Sequence, residues 1–159
     1  MGTRSNIVYV DDDQYKGRRV VASYCHYDGY LDHTGRMLFD HYNSQKKAKE
    51  LVDLGDMRAI KETPELVREN NSTPNAPKTY RTISSYMYRV DALSIEYIYM
   101  WDKNMWWVAR SLAINTWDLG KFEEGYEQWV QYHSKFEPLA QELSQWDFDN
   151  PTDQQGQYV

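Results

Sequence analysis

At 159 residues, 41% of them hydrophobic, the chain has the size and apolar content of one domain with its own core. Its net charge of -6 is uneven: residues 1–80 balance at 12 Lys/Arg and 12 Asp/Glu, while residues 81–159 hold 6 against 12, which weighs against a nucleic-acid-binding domain with a basic stripe. The one cysteine, Cys25, excludes an internal disulfide and a CxxC metal knuckle, and no apolar run reaches the ~20 residues of a membrane span.

The start, MGTRSN, lacks the apolar segment of a secretory signal, and Asn6 stands where a myristoylation motif needs Ser or Thr. The chain therefore reads as cytosolic, where the sequons at Asn70 and Asn71 carry no meaning. NIVYV (6–10) is a short β-type run and DDDQYKG a turn; with a second run over residues 18–27 they read as a hairpin. Gly29 and Gly35 punctuate the passage into GRMLFDHY. Ser44 is placed to cap the next helix, which shows an Ala48, Leu51, Val52 stripe and Gly55 at a left-handed C-terminus.

Residues 62–79 hold three of the five prolines and almost no core material, and read as a mobile loop insertion. After them LSIEYIYMW, DKN and MWWVAR give the best hairpin signal, with Ile95, Tyr97, Tyr99 and Trp101 alternating against Glu96, Ile98 and Met100. Phe122, Tyr126, Trp129, Val130 and His133 keep helical spacing. Ser134 with Glu137 then resembles a capping box, opening a helix through Leu139, Leu143 and Trp146 with Pro138 in its first turn. Residues 147–159 read as a disordered tail. The expectation is a single α+β domain over residues 1–146, an antiparallel β-sheet of about four strands with helices packed on one face.

The densest chemistry lies in YCHYDGYLDHTGRMLFDHY, Tyr24 to Tyr42, which gathers three of the four histidines. On an extended segment Tyr24, His26 and Asp28 share a face, so His26 and Asp28 are candidates for acid–base work, and His33 or His41 could complete a metal site. That spacing matches no ligand motif, Cys25 faces away from His26, and no GxSxG or P-loop accompanies it, so neither a metal nor a cofactor is assigned. Anion binding fits better. Thr34, Gly35 and Arg36 stand at a helix start, Arg4 comes from an adjacent strand, and Tyr24 and Tyr30 offer rings to stack on a base. The competing reading is an ordinary strand-to-helix corner made by the two glycines. Elsewhere the exposed positions Glu123, Glu124 and Glu127 offer an acidic edge for a basic partner, and aromatic sheet surface is compatible with a homodimer.

MGTRSNI at the start, YCHYDGY after the second β-run, then GxMLxxHY and LVDLGDM, resemble a group of small phage- and prophage-encoded accessory proteins over about residues 1–57. The resemblance implies a protein made in the host cytoplasm that acts on the host as an inhibitor or counter-defence factor. The expected mode is non-enzymatic: occupying a host protein, or sequestering a nucleotide-type small molecule through Arg4, Tyr24, His26, Asp28, Tyr30 and Arg36. A small hydrolase or nuclease-like enzyme using His26 and Asp28 is the second expectation.

Overall fold

The computed structural model of the chain describes residues 3–13, 15, 17–71, 74–115 and 129–151. Its architecture follows from two apolar runs that cannot face water on either side. In β1 (Ser5–Asp13), Ile7 and Tyr9 enter one core while Val8 and Val10 enter another, and all four are buried. In β4 (Tyr97–Asp102), Tyr99 and Trp101 join the first core, and Ile98 and Met100 the second. A strand buried on both faces belongs in the middle of a sheet that is covered on both sides.

Accordingly, β1 pairs antiparallel with β2 (Gly17–Cys25) and parallel with β4. Among the described residues the sheet has seven strands, six of them in the order β3-β2-β1-β4-β5-β6, where β3 is Lys78–Tyr80, β5 Met105–Asn115 and β6 Trp129–His133. The two-residue β7 (Glu137–Pro138) also pairs with β5. The domain is α+β, but its sheet is larger than the four strands expected and is mixed rather than antiparallel. The reason is the connection over residues 26–96: it returns the chain to the end of the sheet where β1 began, so the second hairpin enters beside β1 in the same direction. Neither hairpin encodes that choice.

Helices also cover both faces, not one. A π-helical turn Leu31–Gly35, α1 (Arg36–His41), α2 (Gln45–Asp53), α3 (Pro64–Glu69) and α5 (Leu139–Asp149) bring Leu31, Leu38, Leu51, Val67 and Leu139 to the first core. The opposite face receives α4 (Ile83–Arg89), whose Tyr86 is buried beside Val8, Val20 and Ile98.

Local signals hold where the chemistry is local. The Ser44 hydroxyl accepts the Lys47 N–H at 3.2 Å, and Ala48, Leu51 and Val52 are fully buried. Lys103 and Asn104, with φ +51° and +63°, make the tight turn between β4 and β5. The 62–79 excursion is more structured than its composition suggests: Thr63 caps α3 by accepting from the Leu66 N–H, Val67 enters the core, and β3 begins at Lys78. The expected helix over Trp129 and His133 is instead β6, because the long β5 offers Ser111–Asn115 as a pairing edge; positions 122 and 126 lie outside the described residues. Ser134 does not cap α5. Its hydroxyl accepts the Arg110 N–H at 3.0 Å, and α5 starts after Pro138 and runs on to Asp149, into the expected tail. No helix among the described residues is long and apolar enough to cross a membrane.

Gly55 sits at φ +90°, and a Cβ there would lie 2.1 Å from the Asn75 carbonyl oxygen, whereas Gly17 at φ +79° has open space around it. Gly17→Ala should therefore cost only the left-handed strain, about 1 kcal/mol, and Gly55→Ala distinctly more, about 3 kcal/mol. Urea unfolding of the two variants checks the order; equal losses would contradict the close approach.

Candidate functional site

On the α4 face, the edge strand β3 sets the first two groups of a site. Its register places Lys78 opposite Ala22 and Tyr80 opposite Val20, and those partners belong to the core under α4, so Lys78 and Tyr80 point to that side. Thr82 caps α4 by accepting the Ser85 N–H at 2.9 Å. Tyr86 anchors the helix to the sheet: its hydroxyl accepts from the Asn6 amide at 2.8 Å, and its ring meets Tyr80 edge-on with centroids 5.1 Å apart. The helix stops at Arg89 because Val90 is extended, with ψ 132°.

Past that end the sheet is left partly uncovered, and a cavity of about 340 Å³ remains, lined by Asn6, Tyr24, Lys78, Tyr80 and Arg89, with Asp56 and Asp91 in its wall. Both carboxylates are already committed. Asp56 accepts the Tyr24 N–H at 3.0 Å and the Asn75 amide at 3.4 Å; Asp91 accepts the Leu93 N–H at 2.9 Å and the Ser94 hydroxyl at 3.0 Å. None of the ion pairs among the described residues uses Lys78 or Arg89. The formal charge of the cavity is balanced, but the two carboxylates are engaged by neutral donors while the two cations are left without an anionic partner among the described residues.

The sequence-predicted residues divide between the two faces of the sheet. Tyr24 lines the cavity, and its hydroxyl lies 2.7 Å from His26 Nδ1, so these two share a face as the alternation requires. Burial raises the Tyr24 phenol above its ordinary range, and the Arg4 charge opposes the rise. The Arg4 carbonyl accepts the Glu96 N–H at 2.9 Å, which continues the β1 ladder, so by alternation Arg4 falls on the side of Asn6, whose amide meets Tyr86. Asp28 and Tyr30 are exposed outside the cavity. Asp28 adopts φ +57°, and its carbonyl accepts the Thr34 hydroxyl at 2.7 Å. The Gly29 N–H donates to Thr3 O at 2.8 Å and its carbonyl accepts the Tyr99 hydroxyl at 2.7 Å, so DGY is a bonded corner between β2 and the first helical turn.

Arg36 lies in the opposite helical layer. It bridges Asp32 at 2.9 Å and Asp147 of α5 at 2.7 Å, so its guanidinium is spent on joining two helices and does not converge with Arg4. Glu123, Glu124 and Glu127 lie outside the described residues. No group of three His, Cys, Asp or Glu among the described residues is gathered to hold a metal ion. Cys25 is fully buried and its thiol is pushed up to about 11 by that burial, so it offers no thiolate.

Lys78 and Tyr80 were missed because they fall in or beside the segment read as loop, and Arg89 because the sequence reading assigned no element to residues 80–92. A signal was present: residues 71–90 carry three cations and three tyrosines and no carboxylate, within an acidic chain.

No protein family, curated protein or solved structure matches this chain. Its function is therefore argued from the cavity.

Tyr86, whose hydroxyl holds Asn6 at the cavity, is one of four buried tyrosines, with Tyr9, Tyr42 and Tyr99, that burial pushes well above the ordinary phenol range. Each keeps its proton in the folded state where the unfolded chain releases it near pH ~10. The folded state then binds more protons, so stability falls as pH rises, by up to about 1.4 kcal/mol per pH unit for each such tyrosine. Urea midpoints measured from pH ~8 to ~11 should decline only above ~10; a midpoint that stays level throughout would contradict the burial of these phenols.

Proposed function

We propose that this is a non-enzymatic binding protein that holds a small anionic, ring-bearing ligand of nucleotide type in the cavity at the end of α4. The observation that carries the reading is the convergence of Lys78 and Arg89, neither in an ion pair among the described residues, on a cavity whose two carboxylates are engaged elsewhere, Asp56 by Tyr24 of β2 and by Asn75, Asp91 by its own turn. The volume suits a ligand of mononucleotide size, small pockets of this kind beginning at about 300 Å³. Lys78 and Arg89 supply the charge for a phosphate, Arg89 with a fork that matches two of its oxygens. Tyr24 and Tyr80 offer ring faces and hydroxyls for the base, and Asn6, fixed by Tyr86, offers its amide oxygen.

The resemblance of MGTRSNI and YCHYDGY to phage-encoded accessory proteins supports a setting for such a pocket. In the host cytoplasm, a protein made in quantity that captures a nucleotide-type signal withdraws it from the host receptor. This would be counter-defence by sequestration, without catalysis.

A thermal-shift panel of mononucleotides tests the reading. Ligand at a hundredfold excess over Kd stabilises the fold by about 2.7 kcal/mol, or roughly 5–10 °C for a chain of this size. Lys78→Glu with Arg89→Glu should abolish the shift, and Arg36→Ala, on the far side of the sheet, should leave it unchanged. If no mononucleotide shifts the transition, or the double variant still responds, the cavity is not the binding site.

A further inference from the structure

The cavity is one end of a longer strip. A shallow cleft lined by Lys78, Thr79, Tyr80, Tyr88 and Arg89 adjoins it, and through Thr79 this cleft meets a third concavity where Arg81, Thr82 and Ser85 face Arg19 and Tyr15. The cleft shares Lys78, Tyr80 and Arg89 with the cavity and Thr79 with the third concavity, so the three follow one another around the open edge of the sheet. Its cations are Arg19, Lys78, Arg81 and Arg89. Of these only Arg19 is in an ion pair among the described residues, to Asp11 at 2.8 Å. Aromatic faces stand along it: Tyr88 is 91% exposed, and Tyr80 is half-buried. The hydroxyls of Thr79 and Ser85 add short donors between the charges.

We propose that the ligand is a short single strand of nucleic acid, with its terminal nucleotide in the cavity and its following phosphates running past β3 towards Arg81. This deepens the reading above and rests on it. Positive charge alternating with exposed aromatic rings in a groove is the chemistry that holds single strands without base readout, the rings stacking on bases and the cations tracking the backbone. The acidity of the whole chain does not oppose this. Residues 71–90 contain no carboxylate; of the acids that border the path, Asp11 is paired with Arg19 and Asp56 and Asp91 are engaged by hydrogen bonds, and acids farther off are screened beyond ~8 Å at physiological salt. A duplex, with its wide phosphate array, meets that acidity over a larger area and gains nothing from Tyr88. An acidic peptide adding to the β3 edge is the competing occupant, but β3 is three residues long and follows Pro77, which has no N–H to give.

Fluorescence-polarisation competition with thymidine monophosphate and with oligothymidylates of two, four and eight units tests this. The tetramer should bind at least about tenfold more tightly than the monomer, with little gain beyond it, and its affinity should fall with salt at a slope of roughly 0.7 per phosphate held. Arg81→Glu and Tyr88→Ala, both surface changes whose folding is checked by circular dichroism, should remove the gain with length and leave monomer binding unchanged. A tetramer no tighter than the monomer overturns the strand while leaving the mononucleotide reading intact. A tetramer that binds when no monomer does would mean that the strand is held along β3 and not from the cavity, which overturns the terminal-nucleotide placement together with the small-ligand reading. Equal competition by the duplex or by a polyglutamate peptide overturns the strand in favour of unspecific attraction of anions.

Discussion

Burial of β1 and β4 on both faces is the constraint on which the rest of the structure depends. Ile7, Tyr9, Tyr99 and Trp101 demand one covering layer, and Val8, Val10, Ile98 and Met100 demand another. At about 1.5–3 kcal/mol per large apolar side chain, leaving either set of four in water would cost an amount comparable with the whole net stability of a domain. The chain meets the demand unequally. Among the described residues, four helices, a π-helical turn and the segment around Met57 and Ile60 cover one face, whereas α4 with the ends of its loops covers the other. A single seven-residue helix is too short to span the sheet, so the thinner layer leaves a concavity at its C-terminal end. The site is a consequence of that shortfall.

The same constraint explains why the guanidinium groups of Arg4 and Arg36 do not meet. Arg36 belongs to the thick layer, where it ties α1 to α5 through Asp147 and closes its own turn through Asp32. Arg4, in alternation with Asn6, and the Tyr24–His26 pair belong to the thin layer. A sheet stands between them. The corner at Asp28 and Gly29 is then occupied by structural bonding, with Thr3, Thr34 and Tyr99 using its backbone groups.

How much of this the sequence disclosed depended on range. Signals that act within a few residues were readable: the cap at Ser44, the stripe of Ala48, Leu51 and Val52, the left-handed Gly55, and the alternation and tight turn of β4 and β5. Signals that depend on distant pairing were not. WVQYH fits a helical and an extended pattern equally, and only the free edge of β5 makes it a strand. KTY becomes β3 because β2 has an open side. Parallel pairing of β1 with β4 is decided by where a seventy-residue connection returns. The site follows the same division, since Tyr24 on β2 and His26 just past its end lie two apart and were readable as neighbours. Lys78 and Arg89, eleven residues apart, meet only after β3 and α4 are placed.

The measurement that tests this account most directly is mapping of backbone amide shifts by nitrogen–proton NMR during titration with a mononucleotide. The account predicts that the largest changes fall on Asn6, Tyr24, the stretch 78–80 and the stretch 89–91, all on the α4 side of the sheet. Changes concentrated instead at residues 32–36 and around Asp147 would place binding in the opposite layer and contradict it.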